Sequence, residues 1–213
     1  MRVQTVVQHH PSRAHLLPSL LAALPAGTQI VTDPEPANRS PWATYLQCLR
    51  SLEDDATHLC LIQDDAQPCR DFGRVVDLLA RKHRNAPVAL FVPGLGNLRR
   101  VILNACQRDE RYAELPTMTT FVPCVAMLWP REQVESILRY EAVSPSLGRA
   151  DDGALGRWAR ATRTQILACV PSICEHPDVT PSLVGRLALS GRNPSRCAAC
   201  WVGEEVSPLT LQW

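Results

Sequence analysis

The chain of 213 residues lacks any apolar run long enough to cross a bilayer, which takes about 20 consecutive residues. It also lacks a positively charged amino-terminal segment followed by a long apolar block, which is the pattern of a secretory signal peptide. These two absences predict a soluble, cytoplasmic protein. The net charge is only +1, and the chain therefore has no overall field that would attract nucleic acid or a membrane surface.

A compact disulfide framework is also missing, because the nine cysteines are odd in number and scattered through predicted strands and helices. Most of them are expected to be small core residues in a reducing compartment. Cys197 and Cys200 have a spacing that lets two thiolates hold one zinc ion, and Cys174 and His176 could complete a tetrahedral site. Since no second pair of this kind exists, two unpaired thiols in a tail are the favoured interpretation.

Apolar periodicity alternates between strand and helix along the chain. Strands are predicted at 3–8, 29–33, 58–63, 87–92, 118–128 and 164–173, and helices at 16–24, 42–52, after Asp71, after Pro130 and from Asp151. The segment 94–116 is predicted as a loop and an irregular helix. This order predicts an α/β fold with one domain over residues 1–190, and a tail over 191–213 that packs on it or extends from it.

The most informative stretch is THLCLIQDDAQPCRDF, residues 57–72, in which a short apolar strand stops at Asp64 and Asp65. In open α/β sheets, ligands bind beyond the carboxyl ends of the strands. Two carboxylates at that place can hold a hard divalent cation against a diphosphate. The stretch therefore predicts a metal and phosphate site, and the alternative is that the two acids only end the strand in a turn.

A second group of polar residues follows the first predicted strand. His9, His10, Ser12 and Arg13 lie in the loop that precedes a helix, where backbone amides and a guanidinium could contact phosphate. Asp33 ends the second predicted strand. The alternatives are that Ser12 only caps the helix and that the histidines are solvated loop residues.

Together these features resemble a nucleotide-sugar glycosyltransferase of the GT-A fold, in particular the small bacterial and phage type whose metal motif is an acidic pair. The resemblance covers about residues 1–185 and rests on five features: LIQDDAQP, the helix start at Asp71-Phe72, a later strand with a proline-started helix, the Asp151-Asp152 pair, and a last strand ending in Glu175-His176-Pro177. It implies a GT-A-like (Rossmann-related) mixed, mostly parallel sheet flanked by helices. Gln63 departs from the pattern, because many relatives carry an acid there.

The resemblance also implies an activity, namely metal-assisted transfer of a sugar from a nucleotide-diphosphate sugar, with Mn²⁺ or Mg²⁺ as cofactor. Asp65 would contact the metal directly and His176 would complete its shell. Asp64 would lie nearer the ribose or a metal-bound water. The nucleotide would lie over the first strand, with Asp33 against the base or ribose. The alternative for His176 is a surface residue before Pro177.

Asp151 and Asp152 resemble the acidic pair that supplies the general base in inverting members of this fold, which deprotonates the acceptor hydroxyl. Asp152 is the first choice of the two. The alternative is that Asp151 is an ordinary helix cap and that both acids complement the helix dipole. A retaining reaction would remove this role.

Two other classes of function fit parts of the sequence. A nucleotidyltransferase also places paired carboxylates at a strand end, but it usually has a glycine-rich phosphate loop, and the segment HHPSR contains no glycine. The other alternative is a non-enzymatic nucleotide-binding or metal-binding protein. A binding or scaffold protein in which Asp64 and Asp65 are only turn residues would have no metal-dependent affinity for nucleotides.

The acceptor is unknown, and glycan, lipopolysaccharide and modified nucleic acid are all compatible with the sequence. Four arginines in the middle of the chain could form a basic wall for such an acceptor, although a solvated face is the favoured interpretation. They are Arg99, Arg100, Arg108 and Arg111.

Overall fold

A computed structural model describes residues 1–34, 41–116, 122–146, 150–177 and 196–213 of the protein. The strands among these residues are β1 (Val3–His9), β2 (Gln29–Thr32), β3 (His58–Gln63), β4 (Gln67–Pro68), β5 (Val88–Ala89), β6 (Tyr112–Glu114), β7 (Ala126–Pro130), β8 (Leu167–Cys169) and β9 (Cys174–Glu175). The α-helices are α1 (Leu17–Ala23), α2 (Pro41–Arg50), α3 (Phe72–Lys82), α4 (Gly96–Gln107), α5 (Arg131–Val143) and α6 (Asp151–Thr162). Short 3₁₀ helices span Pro11–Leu16 and Pro208–Thr210.

Seven strands form one mixed sheet in the order β2-β1-β3-β7-β5-β8-β6, and β4 and β9 form a separate pair. In the large sheet, β1 runs parallel to β2 and β3, and β5 runs parallel to β8. The antiparallel pairs are β3 with β7, β5 with β7, and β6 with β8. Five of the seven strands therefore point the same way, and the predicted α/β class with a mixed, mostly parallel sheet is confirmed.

The core lies on both faces of this sheet. In β3, Leu59 and Leu61 pack in a cluster with residues of α2, α5 and α6, whereas Cys60 and Ile62 pack in a second cluster with residues of α1 and α3. Successive side chains of a strand point to opposite faces, and helices cover both faces here. This is why β3 is a continuous apolar run rather than an alternating one.

Aromatic side chains join three elements on the first of these faces. The indole N–H of Trp129 in β7 donates a hydrogen bond of 2.9 Å to the hydroxyl of Tyr45 in α2. The ring of Trp158 in α6 meets Trp129 edge-on, with centroids 5.7 Å apart. Edge-to-face pairs and a satisfied indole N–H both stabilise buried aromatic residues. These contacts hold α6 against the centre of the sheet.

The structure corrects several predicted boundaries. The segment 94–116 contains a regular helix, α4, which buries Leu98, Ile102 and Ala105 on one face, followed by strand β6. Within the predicted strand at 164–173 only Leu167–Cys169 is a strand, β8, and the separate strand β9 follows the predicted range. Pro171, between the two strands, has no N–H to donate to a ladder. Asp71 precedes α3 but makes no capping hydrogen bond with its side chain. Part of the predicted strand at 118–128 lies outside the described residues.

Residues 196–213, named here the C-terminal segment, pack against the domain through backbone hydrogen bonds. The amide of Gly94 donates to the carbonyl of Cys197, and the amide of Ala199 donates to the carbonyl of Val92. The amide of Ser172 donates to the carbonyl of Cys200. The beginning of this segment thus lies between residues 92–94, which follow β5, and Ser172, which precedes β9.

Among the described residues, no helix has both the length and the apolar character needed to cross a membrane.

Candidate functional site

Asp64 follows β3 directly and connects this strand to the loop after β1. It is 2% exposed. Its Oδ2 accepts hydrogen bonds from Nδ1 of His9 at 2.9 Å and from the backbone amide of His10 at 2.7 Å, and its Oδ1 accepts from Nη1 of Arg13 at 3.0 Å. Because a carboxylate only accepts, Nδ1 of His9 carries the hydrogen. Asp64 therefore positions the first loop, and its predicted contact with ribose or a metal-bound water stays a prediction.

Asp65 lies beside it and meets two cationic or polar groups from distant parts of the chain. Its Oδ2 is 2.7 Å from Nη1 of Arg13 and 3.1 Å from Nε2 of His176. Burial opposes ionisation of this carboxyl, but the contact with His176 and the charges of Arg13 and Arg196 outweigh it and lower the pKa of Asp65 to about 2. Asp65 is therefore a buried anion at neutral pH.

His176 follows β9 and is 4% exposed. Its Nε2 is also 2.9 Å from Nη2 of Arg196, the first described residue of the C-terminal segment. The neighbouring Glu175 fixes this arrangement, because its Oε1 accepts hydrogen bonds from the amides of His176 at 2.7 Å and Ala198 at 2.6 Å. One carboxylate thus joins the histidine and the C-terminal segment.

The other residues predicted for the donor lie around the same edge of the sheet. His10 is the residue before the first 3₁₀ helix, and its ring accepts from the amide of Ser12 while Nδ1 lies 2.8 Å from the Ser12 hydroxyl. The cap of this helix is therefore His10 and not Ser12. Asp33 follows β2, and its amide donates to the carbonyl of His9 at 2.8 Å. The ends of β1 and β2 thus meet at the first loop, because the two strands are parallel neighbours.

Gln63, the last residue of β3, connects this site to the start of α6. Its Nε2 donates to Oδ2 of Asp151 at 2.9 Å and to Oε1 of Gln8 at 3.3 Å, and it lies 3.7 Å from the sulfur of Cys124. Because Gln63 immediately precedes Asp64 and Asp65, the two acidic pairs belong to one region of the molecule. This chain thus has at position 63 an amide that faces a carboxylate.

The two acids at the start of α6 are in different surroundings. Asp151 is 5% exposed, and burial raises the pKa of its carboxyl. Burial and then the charge of Asp151 raise the pKa of Asp152 to about 6. Asp152 is half-buried, so water or a substrate hydroxyl has better access to it. A carboxylate of this pKa is ionised at neutral pH and is a stronger base than an ordinary aspartate.

The residues present fit a divalent cation. Oδ1 of Asp65 is buried and has no hydrogen-bond partner among the described residues, and it lies in the same carboxylate that meets Nε2 of His176. Mg²⁺ in phosphate-transfer sites is held by one or two protein carboxylates, substrate phosphates and water. One carboxylate and one imidazole are a suitable donor set for such an ion, with the remaining ligands supplied by substrate.

The zinc alternative does not fit in the same way. In the described parts of the chain, no group of three or more His, Cys, Asp or Glu side chains is placed to hold a metal ion. The set of Cys174, His176, Cys197 and Cys200 is therefore not assembled as a tetrahedral site.

The predicted basic wall is partly neutralised by its own neighbours. Arg108 forms two hydrogen bonds with Glu110, of 2.7 and 2.8 Å, and Arg111 forms one of 2.6 Å with Asp109. Arg99 is exposed on α4. This pairing favours the interpretation of a solvated face.

Sequence reasoning missed the roles of Glu175 and Arg196 and saw Gln63 only as a departure from a motif. In the sequence, Glu175 is only the residue that precedes His176, and Arg196 lies in a tail with no periodic pattern. The sequence did contain a signal for Gln63, since an amide beside an acidic pair can donate a hydrogen bond to another carboxylate. No comparable signal indicates that Arg196 approaches His176 across 20 residues.

No protein-family model matches the chain, and no curated protein matches it in sequence. Solved structures resemble it in fold. The protein A197 from STIV has a TM-score of 0.54 at 14% identity over 83% of this chain and 86% of that one. TarS from S. aureus has a TM-score of 0.50 at 11% identity, over 79% of this chain and 35% of that one.

A third similar structure is a mutant of β1,4-galactosyltransferase 7 from Drosophila in complex with manganese, UDP-Gal and xylobiose. Its TM-score is 0.48 at 11% identity, over 82% of this chain and 70% of that one. At these identities the likeness concerns the fold. The sheet is of the GT-A-like type that the resemblance implied.

Proposed function

We propose that this protein is a glycosyltransferase that moves a sugar from a nucleotide-diphosphate sugar to an acceptor, with the help of Mn²⁺ or Mg²⁺. One observation carries the proposal. Asp65 at the end of β3 meets Arg13 from the loop after β1 and His176 from the end of β9, so that three distant segments converge at the carboxyl edge of a GT-A-like sheet. Ligands of open α/β sheets bind at that edge.

The first loop is the proposed contact for the donor nucleotide. Asp64 holds His9, His10 and Arg13 in place, and the end of β2 brings Asp33 next to them. A rigid loop of this kind loses little conformational freedom when it binds a nucleotide. Arg13 adds positive charge beside the place where a diphosphate would lie.

Asp65 and His176 would hold the metal ion, which when bound supplies positive charge to the departing diphosphate as a Lewis acid. The chain itself keeps Asp65 ionised and His176 oriented. Arg13 and Arg196 contribute to the first effect, and Glu175 produces the second through the amide of His176.

Asp152 is the proposed general base and accepts the proton of the acceptor hydroxyl. Gln63 and Asp151 place the start of α6 beside the donor site, and the raised pKa of Asp152 makes its carboxylate a more effective base. This assignment holds for an inverting reaction, in which the hydroxyl attacks the anomeric carbon in line with the departing diphosphate.

The proposal is tested by incubating the protein with a panel of sugar nucleotides, with and without Mn²⁺, and measuring release of the nucleoside diphosphate. We expect slow release from at least one donor that depends on Mn²⁺ and is lost in Asp65→Asn. A matched control is Asp109→Asn, which removes an exposed carboxylate paired with Arg111 and should behave as wild type. Absence of release and of diphosphate binding across the panel would reject the proposed function.

A further inference from the structure

Nε2 of His176 lies close to two groups that it cannot serve at once. It is 3.1 Å from Oδ2 of Asp65 and 2.9 Å from Nη2 of Arg196. A hydrogen on Nε2 would donate to Asp65 but would point its N–H at an N–H of Arg196. A guanidinium has only donors and no acceptor. The lone pair of Nε2 can accept from Arg196 only in the tautomer that has the ring hydrogen on Nδ1, and Nε2 can donate to Asp65 only in the other tautomer.

The same lone pair is the one that a metal ion would use, since a ligating imidazole must be neutral at the ligating nitrogen. Oδ2 of Asp65 is adjacent to it, and the charge of Arg196 already acts on that carboxylate. The guanidinium of Arg196 thus lies against Nε2 of His176, which together with Asp65 would bind a divalent cation. Two cations cannot share this position, because they repel each other strongly at such a distance in a buried site.

We propose that Arg196 competes with the metal ion for Nε2 of His176 and, once displaced, binds the diphosphate of the donor. This inference rests on the proposed function, to which it adds a residue from the C-terminal segment. It predicts that the ion and Arg196 exchange places on the imidazole. The ion is then needed not only for its own charge but also to release a second positive group toward the phosphates.

The anchoring of the C-terminal segment makes this exchange local. Glu175 accepts from the amide of Ala198, and Gly94 donates to Cys197, so the backbone next to Arg196 is held at the site while its long side chain is not part of the ladder. An arginine side chain has several rotatable bonds and a planar fork that suits two phosphate oxygens. Displacement from His176 by a few ångströms therefore needs a change of side-chain rotamer and no movement of the segment.

The test measures binding of Mn²⁺ alone to wild type, Arg196→Ala and the control Arg108→Ala, by calorimetry or by electron paramagnetic resonance of free Mn²⁺. Arg108 is an exposed arginine that pairs with Glu110, so its removal should change nothing. We expect Arg196→Ala to bind Mn²⁺ about ten-fold more tightly, because a nearby like charge shifts such equilibria by about one or more log units. Equal, weaker or undetectable binding of Mn²⁺ by Arg196→Ala would overturn the competition.

A second measurement tests the diphosphate. At saturating Mn²⁺, UDP and UMP serve as probes, and Arg196→Ala should lose about ten-fold or more in affinity for UDP, equivalent to one charge-assisted contact, with a much smaller loss for UMP. Unchanged affinity for UDP would overturn this half of the inference. The proposed function is tested separately, by incubating wild-type protein with the panel of sugar nucleotides. The Mn²⁺ titration contains no nucleotide, so its result does not depend on that experiment. The opposite signs expected for metal and diphosphate also distinguish competition from simple loss of structure, which would weaken both.

Discussion

Asp65 is a buried carboxylate that remains charged because the fold surrounds it with positive and hydrogen-bonding groups. Asp64, next to it in sequence, has its two oxygens engaged with the first loop. Two identical neighbouring residues thus differ in what their oxygens contact. Asp64 is a structural anchor of the first loop. Asp65 keeps one oxygen, Oδ1, without a hydrogen-bond partner among the described residues. That difference favours Asp65 as the metal ligand of the pair.

Asp65→Asn should lower the free energy of unfolding at neutral pH by about 2 kcal/mol, because the pKa of Asp65 is lowered in the folded protein to about 2. A carboxyl with a lowered pKa adds stability above its ordinary pKa and loses it as the pH falls toward the folded value. The difference between variant and wild type should therefore be constant from pH 7 to about 5 and shrink below about pH 4. Urea denaturation at several pH values measures it, with Asp109→Asn as the exposed control. A difference that does not change with pH would mean that the charge of Asp65 is not the cause.

Asp152→Asn tests the proposed general base, and we expect it to lower activity but to raise stability. The pKa of Asp152 is raised to about 6 by burial and by Asp151, so its ionisation opposes folding above the ordinary aspartate range. Transfer should be lost, whereas the free energy of unfolding at pH 8 should rise by about 1 to 2 kcal/mol after allowance for partial exposure. The wild-type rate should fall as the pH drops through about 6. Kinetics and urea denaturation measure both quantities, and full activity of Asp152→Asn would exclude it as the base.

At the scale of elements, the site depends on how β3 meets α6. The side chain of Gln63 bridges the end of the strand and the first residue of the helix across 88 residues of sequence. Packing of Trp129 against Trp158 and Tyr45 sets the position of α6, and the amide of Gln63 then satisfies Asp151 without adding a charge. An acid at position 63 would instead face Asp151 as a like charge.

Gln63→Glu should therefore destabilise the protein more at pH 8 than at pH 5, because at the lower pH one of the two facing carboxyls can hold a proton. The same added charge should raise the pKa of the base and move the acidic limb of the pH–rate profile upward. The matched control is Gln4→Glu in β1, where a buried glutamine bonds to Gln29 and the carbonyl of Ser51 at the other end of the strand. Gln4→Glu should cost stability but leave the acidic limb in place. An unshifted limb in Gln63→Glu would show that Gln63 does not act on the base.

At the scale of the whole molecule, two core clusters share one sheet, and β3 contributes to both. Leu61 belongs to one cluster and Ile62 to the other, and both are fully buried. The two clusters are separated only by the thickness of the strand. The protein should therefore unfold as one cooperative unit, although its core has two parts.

Leu61→Ala and Ile62→Ala should each lower the free energy of unfolding by about 2 to 5 kcal/mol in a single transition, because each leaves a cavity in a close-packed cluster. Ile30→Ala on the edge strand β2, where the side chain is 41% exposed, should cost much less. Circular dichroism and tryptophan fluorescence are compared for all three variants. Separate midpoints for the two probes would mean that the clusters unfold independently.

Much of the fold was readable from the sequence where the local signal was strong. β3 was predicted at its observed bounds, because a short apolar run that ends in two acids has few other interpretations. The helix α4 was predicted only as irregular, although its buried residues Leu98, Ile102 and Ala105 recur at the helical spacing i, i+4 and i+7. The split between β8 and β9 was also missed, although Pro171 was visible in the sequence.

The sequence by itself determined the alternation of the main strands and helices, the burial of β3, and the position of an acidic pair at its carboxyl end. These follow from local periodicity and from the alternation of side chains along a strand. Only the tertiary structure decided that Asp65 meets His176 across 111 residues, that Gln63 meets Asp151, and that Arg196 reaches the imidazole. Such contacts depend on which strands are neighbours in the sheet and on how the C-terminal segment packs. Pairing between distant segments leaves no periodic trace in either segment, because each one needs only its own local pattern to form.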